Sequence, residues 1–115
     1  MIRRWTVRDG DRELLNKLKV DPAEVKDDFY DYSKVVVKKP WGYEYLFFAN
    51  DLIAVWILYL RRGAQTSMHC HRNKKTSLVV LNGQVLCSSV TEDLERSPGS
   101  GLLIDKGVFH RTKAT

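Results

Sequence analysis

Two histidines separated by a single residue lie in the segment that most constrains the fold, residues 63–83. In a β-strand, residues i and i+2 project from the same face, so His69 and His71 are predicted to point the same way. Two imidazoles on one face can ligate a single divalent metal ion. An apolar run at residues 78–81 ends at an Asn-Gly pair (residues 82–83), which is the strongest two-residue hairpin signal. We therefore predict a histidine strand, a basic turn, a buried strand and a tight reversal.

From residue 34 onward, short β-branched and aromatic runs alternate with Gly, Pro and Asn turns. This pattern is typical of an antiparallel sandwich or barrel, so the predicted fold class is all-β. The predicted strands cover residues 35–37, 43–49, 53–61, 78–81, 84–90, 94–96, 102–104 and 108–113.

Residues 1–33 follow a helical pattern instead. Asp11 is predicted to cap a helix over residues 12–19, with leucines on one face. An Asp-Pro pair is predicted to begin a second helix over residues 22–28. Three aromatic residues follow as anchors onto the main body: Phe29, Tyr30 and Tyr32. We interpret this segment as a helical extension that covers a sheet edge, in preference to a lid or an arm swapped within a dimer.

Length and charge exclude several classes of protein. A chain of 115 residues is long enough for one core but not for two. The net charge of +5 permits an anionic partner, but 19 basic and 14 acidic residues are interspersed, without the basic stripe of a nucleic-acid surface. No apolar run reaches the roughly 18 residues that span a bilayer. Two cysteines, Cys70 and Cys87, do not make a disulfide framework. We expect a cytoplasmic protein that binds neither nucleic acid nor membrane.

The spacing around the two histidines resembles the first motif of the cupin family. That motif is a glycine, five residues, H-x-H, four residues, a glutamate, six residues and a glycine. Gly63, His69, His71 and Gly83 fall in register with it. Thr76 stands where the family has its glutamate.

The family's second motif is recognisable in residues 99–114, where two glycines and a histidine match: Gly99, Gly107 and His110. Asp105 replaces the usual proline and Ala114 the usual asparagine. The resemblance covers residues 34–115.

This resemblance implies an antiparallel cupin-type β-barrel (jelly roll) over residues 34–115, preceded by the helical extension of residues 1–33. It also implies that His69, His71 and His110 face one divalent transition metal ion in the barrel mouth: zinc, iron, manganese or nickel. Family barrels continue with one or two more strands after the second motif, whereas five residues follow His110 here. We expect either a truncated barrel or another element, such as the N-terminal segment, in the missing position.

Residues 39–46, KPWGYEYL, resemble the cupin domain of type II phosphomannose isomerases and related sugar-nucleotide enzymes. Residues 107–114, GVFHRTKA, resemble small stand-alone cupins of surface-polysaccharide pathways. Both resemblances point towards sugar phosphates or nucleotide sugars. Trp41, Tyr43 and Tyr45 would pack under a sugar ring, although aromatic strand residues usually belong to the core.

A site without the family glutamate leaves a bound divalent ion with its full formal charge. Such a site is expected to bind metal less tightly and to favour an anionic ligand. Thr76 would hydrogen-bond a metal-bound water. Arg72, Lys74 and Lys75 would draw a phosphorylated sugar towards the mouth, although a solvated basic turn is the simpler interpretation. The competing hypothesis is a degenerate site that holds no metal.

These residues support three functional hypotheses. The first is a metal-dependent cupin enzyme that acts on a sugar phosphate or nucleotide sugar, most plausibly an isomerase. The second is an Fe(II)-dependent oxygenase of the three-histidine type, and the third is a non-enzymatic small-molecule-binding cupin. No motif places a catalytic base near the histidines, although Asp105 and Lys106 lie close to His110 in sequence. We also expect a homodimer, with residues 1–38 crossing to the partner.

Overall fold

A computed structural model describes residues 2–18 and 32–115 of the chain. Within these ranges the fold is mostly β, with one α-helix, α1 (Asp9–Lys17), and a short 3-10 helix at Tyr32–Lys34. The described strands are β1 (Ile2–Trp5), β2 (Val36–Lys39), β3 (Gly42–Ala49), β4 (Ala54–Leu60), β5 (Thr76–Val79), β6 (Val85–Ser88), β7 (Asp93–Arg96), β8 (Gly101–Ile104) and β9 (Arg111–Ala114). No helix in these two ranges has both the length and the apolar character needed to cross a membrane.

The strands form three sheets of three strands each, in the orders β1-β8-β5, β2-β3-β4 and β7-β6-β9. All pairs are antiparallel except β1 with β8, which is parallel. Among the described residues the sheets do not join into one closed ladder, so the predicted barrel closure is not seen. The all-β prediction is confirmed at the level of these sheets.

The core lies where β1, β6 and β8 meet. Its buried members are Trp5, Cys87, Leu102, Ile104 and Val108. On β8, the alternation of a strand turns Leu102 and Ile104 inwards and leaves Leu103 exposed. Cys87 is a small buried core residue, as expected.

The N-terminal segment departs from the helical prediction at its start. Residues 2–5 form β1, whose Trp5 enters the core and whose indole N–H donates to Glu92 at 2.6 Å. The α-helix begins at Asp9 rather than after Asp11, and Asp11 lies in its first turn. The predicted second helix over residues 22–28, Phe29 and Tyr30 lie outside the described residues.

The hairpin predicted at residues 82–83 is wrong. Gly83 does adopt a left-handed conformation, with φ of 77°, and its N–H donates to the Asn82 side chain. The flanking strands do not pair with each other, because β5 pairs with β8 while β6 pairs with β7 and β9. The buried strand predicted at residues 78–81 is present in part, as β5, and is buried on one face only. Leu78 packs against the core and Val80 is 6% exposed, whereas Val79 and Leu81 are 58% and 71% exposed. The local turn forms, but packing in the whole molecule selects the strand partners.

The segment before the histidines lies beside β9. Gly63 donates its N–H to the Ala114 carbonyl at 2.8 Å, and Thr66 donates to the Thr112 carbonyl at 2.9 Å. Thr112 returns a hydrogen bond from its N–H to the Thr66 hydroxyl at 3.0 Å. Residues 63–69 therefore follow β9 antiparallel to it, and this pairing brings the two histidine motifs together.

Candidate metal centre

His69 and His110 lie directly opposite each other on adjacent chain segments. The His69 N–H donates to the His110 carbonyl at 3.0 Å, and the His110 N–H donates to the His69 carbonyl at 2.8 Å. This reciprocal pair is the hydrogen-bonded pair of an antiparallel bridge, in which both side chains project from the same face. The two imidazole centroids lie 4.4 Å apart.

His71 completes the group from a segment that is not a regular strand. Its carbonyl accepts a hydrogen bond from the Gly107 N–H at 2.8 Å, so the two motifs are joined a second time. Its ring centroid lies 5.1 Å from that of His69 and 5.7 Å from that of His110. One ring nitrogen from each of the three histidines lies within 4.8 Å of the other two. The predicted grouping of the three imidazoles is therefore present.

Main-chain carbonyls orient two of the three rings. The Nδ1 of His69 lies 2.7 Å from the Ser67 carbonyl, and the Nδ1 of His110 lies 2.9 Å from the Val108 carbonyl. A carbonyl oxygen only accepts, so Nδ1 must carry the proton in both rings. The lone pair of the neutral imidazole is then on Nε2. This is the arrangement found around metal-binding histidines, whose second nitrogen donates to a carbonyl or carboxylate.

The surroundings favour the neutral form of the imidazoles. Burial, followed by the charges of Lys74 and the other two histidines, lowers the pKa of His71 to about 4. Burial also lowers the pKa of His110, which is only 6% exposed. A neutral imidazole is the form that binds a metal, so no proton has to be displaced from His71 near neutral pH.

The residues predicted to surround the histidines occupy several elements. Thr76 is half-buried at the start of β5, paired with Ile104 of β8. Arg72 and Lys75 are exposed. Lys75 is close enough to Asp105 to contribute to the lowered pKa of that carboxyl, behind the larger effect of Arg4. The roles predicted for Thr76, Arg72 and Lys75 stay predictions.

Two further residues near the motifs do not belong to the histidine group. Cys70 is half-buried, and burial raises the pKa of its thiol, which keeps it protonated. Asp105 forms a two-point ion pair with Arg4, with nitrogen–oxygen distances of 3.1 and 3.0 Å. This carboxylate holds β1 beside β8, which gives it a structural role that the sequence analysis did not predict.

A cavity of about 430 Å³ lies next to the segment that carries His69. Its lining residues are Lys39, Pro40, Trp41, Gln65, Thr66 and Ser67. Ser67 connects the cavity to the histidine group, because its carbonyl contacts the His69 ring. Trp41 and Lys39 therefore line a space that is connected to the histidine group through Ser67.

The donor set fits a divalent transition metal. Imidazole nitrogen is a ligand that zinc, iron and nickel accept, and three such ligands leave coordination positions for water or another molecule. Within residues 2–18 and 32–115, the group contains only histidines, with no carboxylate or thiolate. The protein would therefore contribute no negative charge from direct ligands.

Comparison with solved structures shows which fold this is. KdgF from Halomonas sp. aligns with a TM-score of 0.63 and 19% identity, over 76% of this chain and 79% of that chain. A cupin-2 domain containing protein from Shewanella frigidimarina NCIMB 400 aligns with a TM-score of 0.45 and 22% identity, over 48% of this chain and 53% of that one. The likeness to KdgF shows a shared fold. No protein-family model and no curated protein matches the sequence.

Proposed function

Because this chain has the cupin fold, we propose that it is a metal-binding cupin whose His69, His71 and His110 hold one divalent transition metal ion. The observation that carries the proposal is the grouping of the three rings, with one ring nitrogen of each within 4.8 Å of the other two. The rings of His69 and His110 donate Nδ1–H to main-chain carbonyls, and burial favours the neutral form of His71 and His110.

The proposed ligand is a small anionic sugar, such as a sugar phosphate or a nucleotide sugar. When bound, the metal would act as a Lewis acid on a carbonyl or hydroxyl oxygen of that ligand. Three neutral ligands leave the full positive charge in place, which favours an anion over a neutral sugar. Trp41 and Lys39 both line the adjoining cavity. Trp41 would pack against the sugar ring, and the Lys39 ammonium, which pairs with Glu44 at 3.7 Å, would exchange that partner for the phosphate.

If the protein is an enzyme, the proposed reaction is isomerisation of this sugar. It requires a base that moves a proton between carbons, and the described histidine group contains no carboxylate for that task. This observation favours a second candidate, a cupin that binds the same sugar without turning it over. An oxygenase using Fe(II) on the three histidines has no separate observation in its favour.

The proposal also includes a cytoplasmic location and a homodimer. The dimer is supported by the many exposed apolar side chains on the described strands.

Binding and turnover of mannose 6-phosphate test the ligand proposal. With zinc-loaded protein, mannose 6-phosphate should raise the melting temperature and unphosphorylated mannose should not. Product formation would select the isomerase, and stabilisation without product would select the binding module. Oxygen consumption by the Fe(II)-loaded protein would select the oxygenase. No stabilisation by any phosphorylated sugar would contradict the proposed ligand class.

Trp41→Ala locates the sugar in the proposed cavity. Loss of the indole should weaken mannose 6-phosphate binding by roughly threefold to tenfold, the range expected for one aromatic contact. Tyr43→Ala is the matched control, since Tyr43 is an exposed aromatic residue of β3 that does not line this cavity. Equal losses in the two variants would place the sugar elsewhere.

A further inference from the structure

Asp11 is a carboxylic acid residue buried in an unusual place. Its side chain is 1% exposed, although it lies in the first turn of a short helix. One carboxylate oxygen accepts the Arg8 N–H at 2.8 Å, and the other accepts the Phe109 N–H at 2.9 Å. Among the ion pairs of the described residues, none involves Asp11. Both of its partners are main-chain groups.

Helix capping explains only half of this arrangement. The bond to Arg8 is the return half of a capping box, which satisfies a free N–H at the start of α1. The bond to Phe109 spans 98 residues and does nothing for the helix. Burying a carboxylate is costly unless hydrogen bonds compensate, and a neutral acceptor such as an amide would accept the Phe109 N–H at a lower desolvation cost. The second bond therefore requires its own explanation.

The explanation lies one residue further along the chain. Phe109 immediately precedes His110, whose ring donates to the carbonyl of Val108 and whose main chain forms the reciprocal pair with His69. The Asp11 side chain thus adds a contact from the N-terminal segment to residues 108–110. Phe109 itself is buried, so its N–H has no access to water as a substitute partner.

We propose that Asp11 is a positioning residue of the candidate metal centre: from the N-terminal helix, it fixes His110 through a hydrogen bond to the Phe109 N–H. This inference rests on the proposed metal-binding function. It makes α1 part of the site rather than a cover for a sheet edge. Outer partners of metal ligands typically affect metal affinity by about 10- to 100-fold, which sets the size of the expected effect.

Two substitutions remove the hydrogen bond to different extents. Asp11→Ala removes the acceptor of the Phe109 N–H, and we expect the affinity for Co²⁺, measured by competition with a chelator, to fall about tenfold or more. The Co²⁺ ligand-field absorption spectrum should also shift, since the His110 ring is no longer fixed. Asp11→Asn has one side-chain oxygen for the two main-chain N–H groups that Asp11 binds, so its affinity should lie between those of wild type and Asp11→Ala.

Trp5→Phe is the matched control. It removes the indole hydrogen bond to Glu92 and so weakens the docking of the N-terminal segment. An aromatic ring stays in the core that Trp5 shares with Val108, and no hydrogen bond of residues 108–110 is lost. We expect it to lower the free energy of unfolding while leaving Co²⁺ affinity and spectrum unchanged. If Asp11→Ala also leaves both unchanged, or if Trp5→Phe reduces affinity by the same factor, Asp11 is only a structural anchor and the inference is wrong.

A readout without metal keeps this test separate from the proposed function. In the metal-free protein, the Phe109 amide should exchange slowly with solvent in wild type and much faster in Asp11→Ala. The ¹⁵N shifts of His110 should report the Nδ1–H form in wild type and a mixture in the variant. If wild type binds no Co²⁺, the proposed function fails and Asp11 has no metal centre to support. If the Phe109 amide and the His110 tautomer are unaffected by Asp11→Ala, the positioning role fails even where metal binds.

Discussion

A main-chain carbonyl two residues upstream orients each of two histidine rings. Ser67 does this for His69 and Val108 for His110, so the same local contact is used in both motifs. The residue types and their register are readable from the sequence, and the grouping of the imidazoles was predicted from them. The tautomers of the two rings could not be predicted, because they depend on main-chain carbonyl acceptors, whose positions cannot be read from the residue types.

Acid should destabilise the metal-free protein through His71. Its pKa in the folded protein is about 4, against an ordinary value of 6.5, so the unfolded chain binds more protons between these two values. The free energy of unfolding should therefore fall as pH decreases through this window and be independent of His71 above it. Urea unfolding between about pH 7 and about pH 4.5 measures how steeply the free energy of unfolding depends on pH. His71→Gln should make this pH dependence weaker, and an unchanged pH dependence in that variant would contradict the lowered pKa of His71.

Thr76→Glu should raise metal affinity. If Thr76 faces the histidines as the cupin motif implies, the new carboxylate provides a fourth protein ligand and a negative charge. Competition with a chelator measures the gain, and an anionic sugar should bind less well to the same variant because the carboxylate opposes its charge. Ser77→Glu, at the exposed neighbour on β5, is the control. Equal effects at the two positions would show that the motif alignment at Thr76 is wrong.

At the scale of elements, the strands that depend on local pattern were predicted best. β3 and β4 lie within a residue or two of their expected bounds, and the turn at residues 50–51 is present, with the Asn50 side chain accepting two main-chain N–H groups. β1 was missed, because its four residues carry no strand alternation and its parallel partner β8 is distant in sequence. The failed hairpin at residues 82–83 has the same origin: turn chemistry is local, whereas strand pairing is not.

Gly107 belongs to the turn that connects β8 to His110. Its φ is 81°, which costs a residue with a Cβ about 1 to 3 kcal/mol, and its N–H donates to the His71 carbonyl. Gly107→Ala should therefore lower both the free energy of unfolding and the metal affinity. Gly99→Ala is matched in backbone strain, with φ of 83°, but its N–H donates to Val80, away from the histidines. Chemical unfolding and Co²⁺ competition compare the two, and an equal loss of affinity would deny the turn any role in placing His71.

At the scale of the whole molecule, the N-terminal segment is joined to the second motif at several points. Trp5 enters the core, Arg4 pairs with Asp105, and Asp11 accepts the Phe109 N–H. The cupin resemblance predicted a β-rich fold and the grouping of the three histidines, since their register survives in the sequence. The barrel closure that it implied is not seen among the described residues. The resemblance could not predict these contacts, because the two motifs that carry it begin at residue 63. The proposed domain boundary at residues 33–34 stays a prediction.

A dimer is expected from the exposed apolar side chains. Phe47 and Phe48 on β3 are 67% and 50% exposed, and Leu52 and Ile53 follow them in the turn before β4. Large apolar side chains exposed at neighbouring positions are typical of an interaction site. Light scattering should therefore give about twice the chain mass of 13.3 kDa, and Phe47→Glu should shift the protein to the monomer. A wild-type monomer that persists as concentration rises would contradict this expectation.

Metal content tests the central claim most directly. Protein purified without added metal, and again after equilibration with zinc and removal of excess, is analysed by mass spectrometry alongside His110→Ala. Wild type should hold about one equivalent per chain after loading, and His110→Ala less than about a tenth, since two imidazoles alone rarely retain zinc. If loaded wild type also holds less than about a tenth of an equivalent of any transition metal, the three histidines do not form a metal centre.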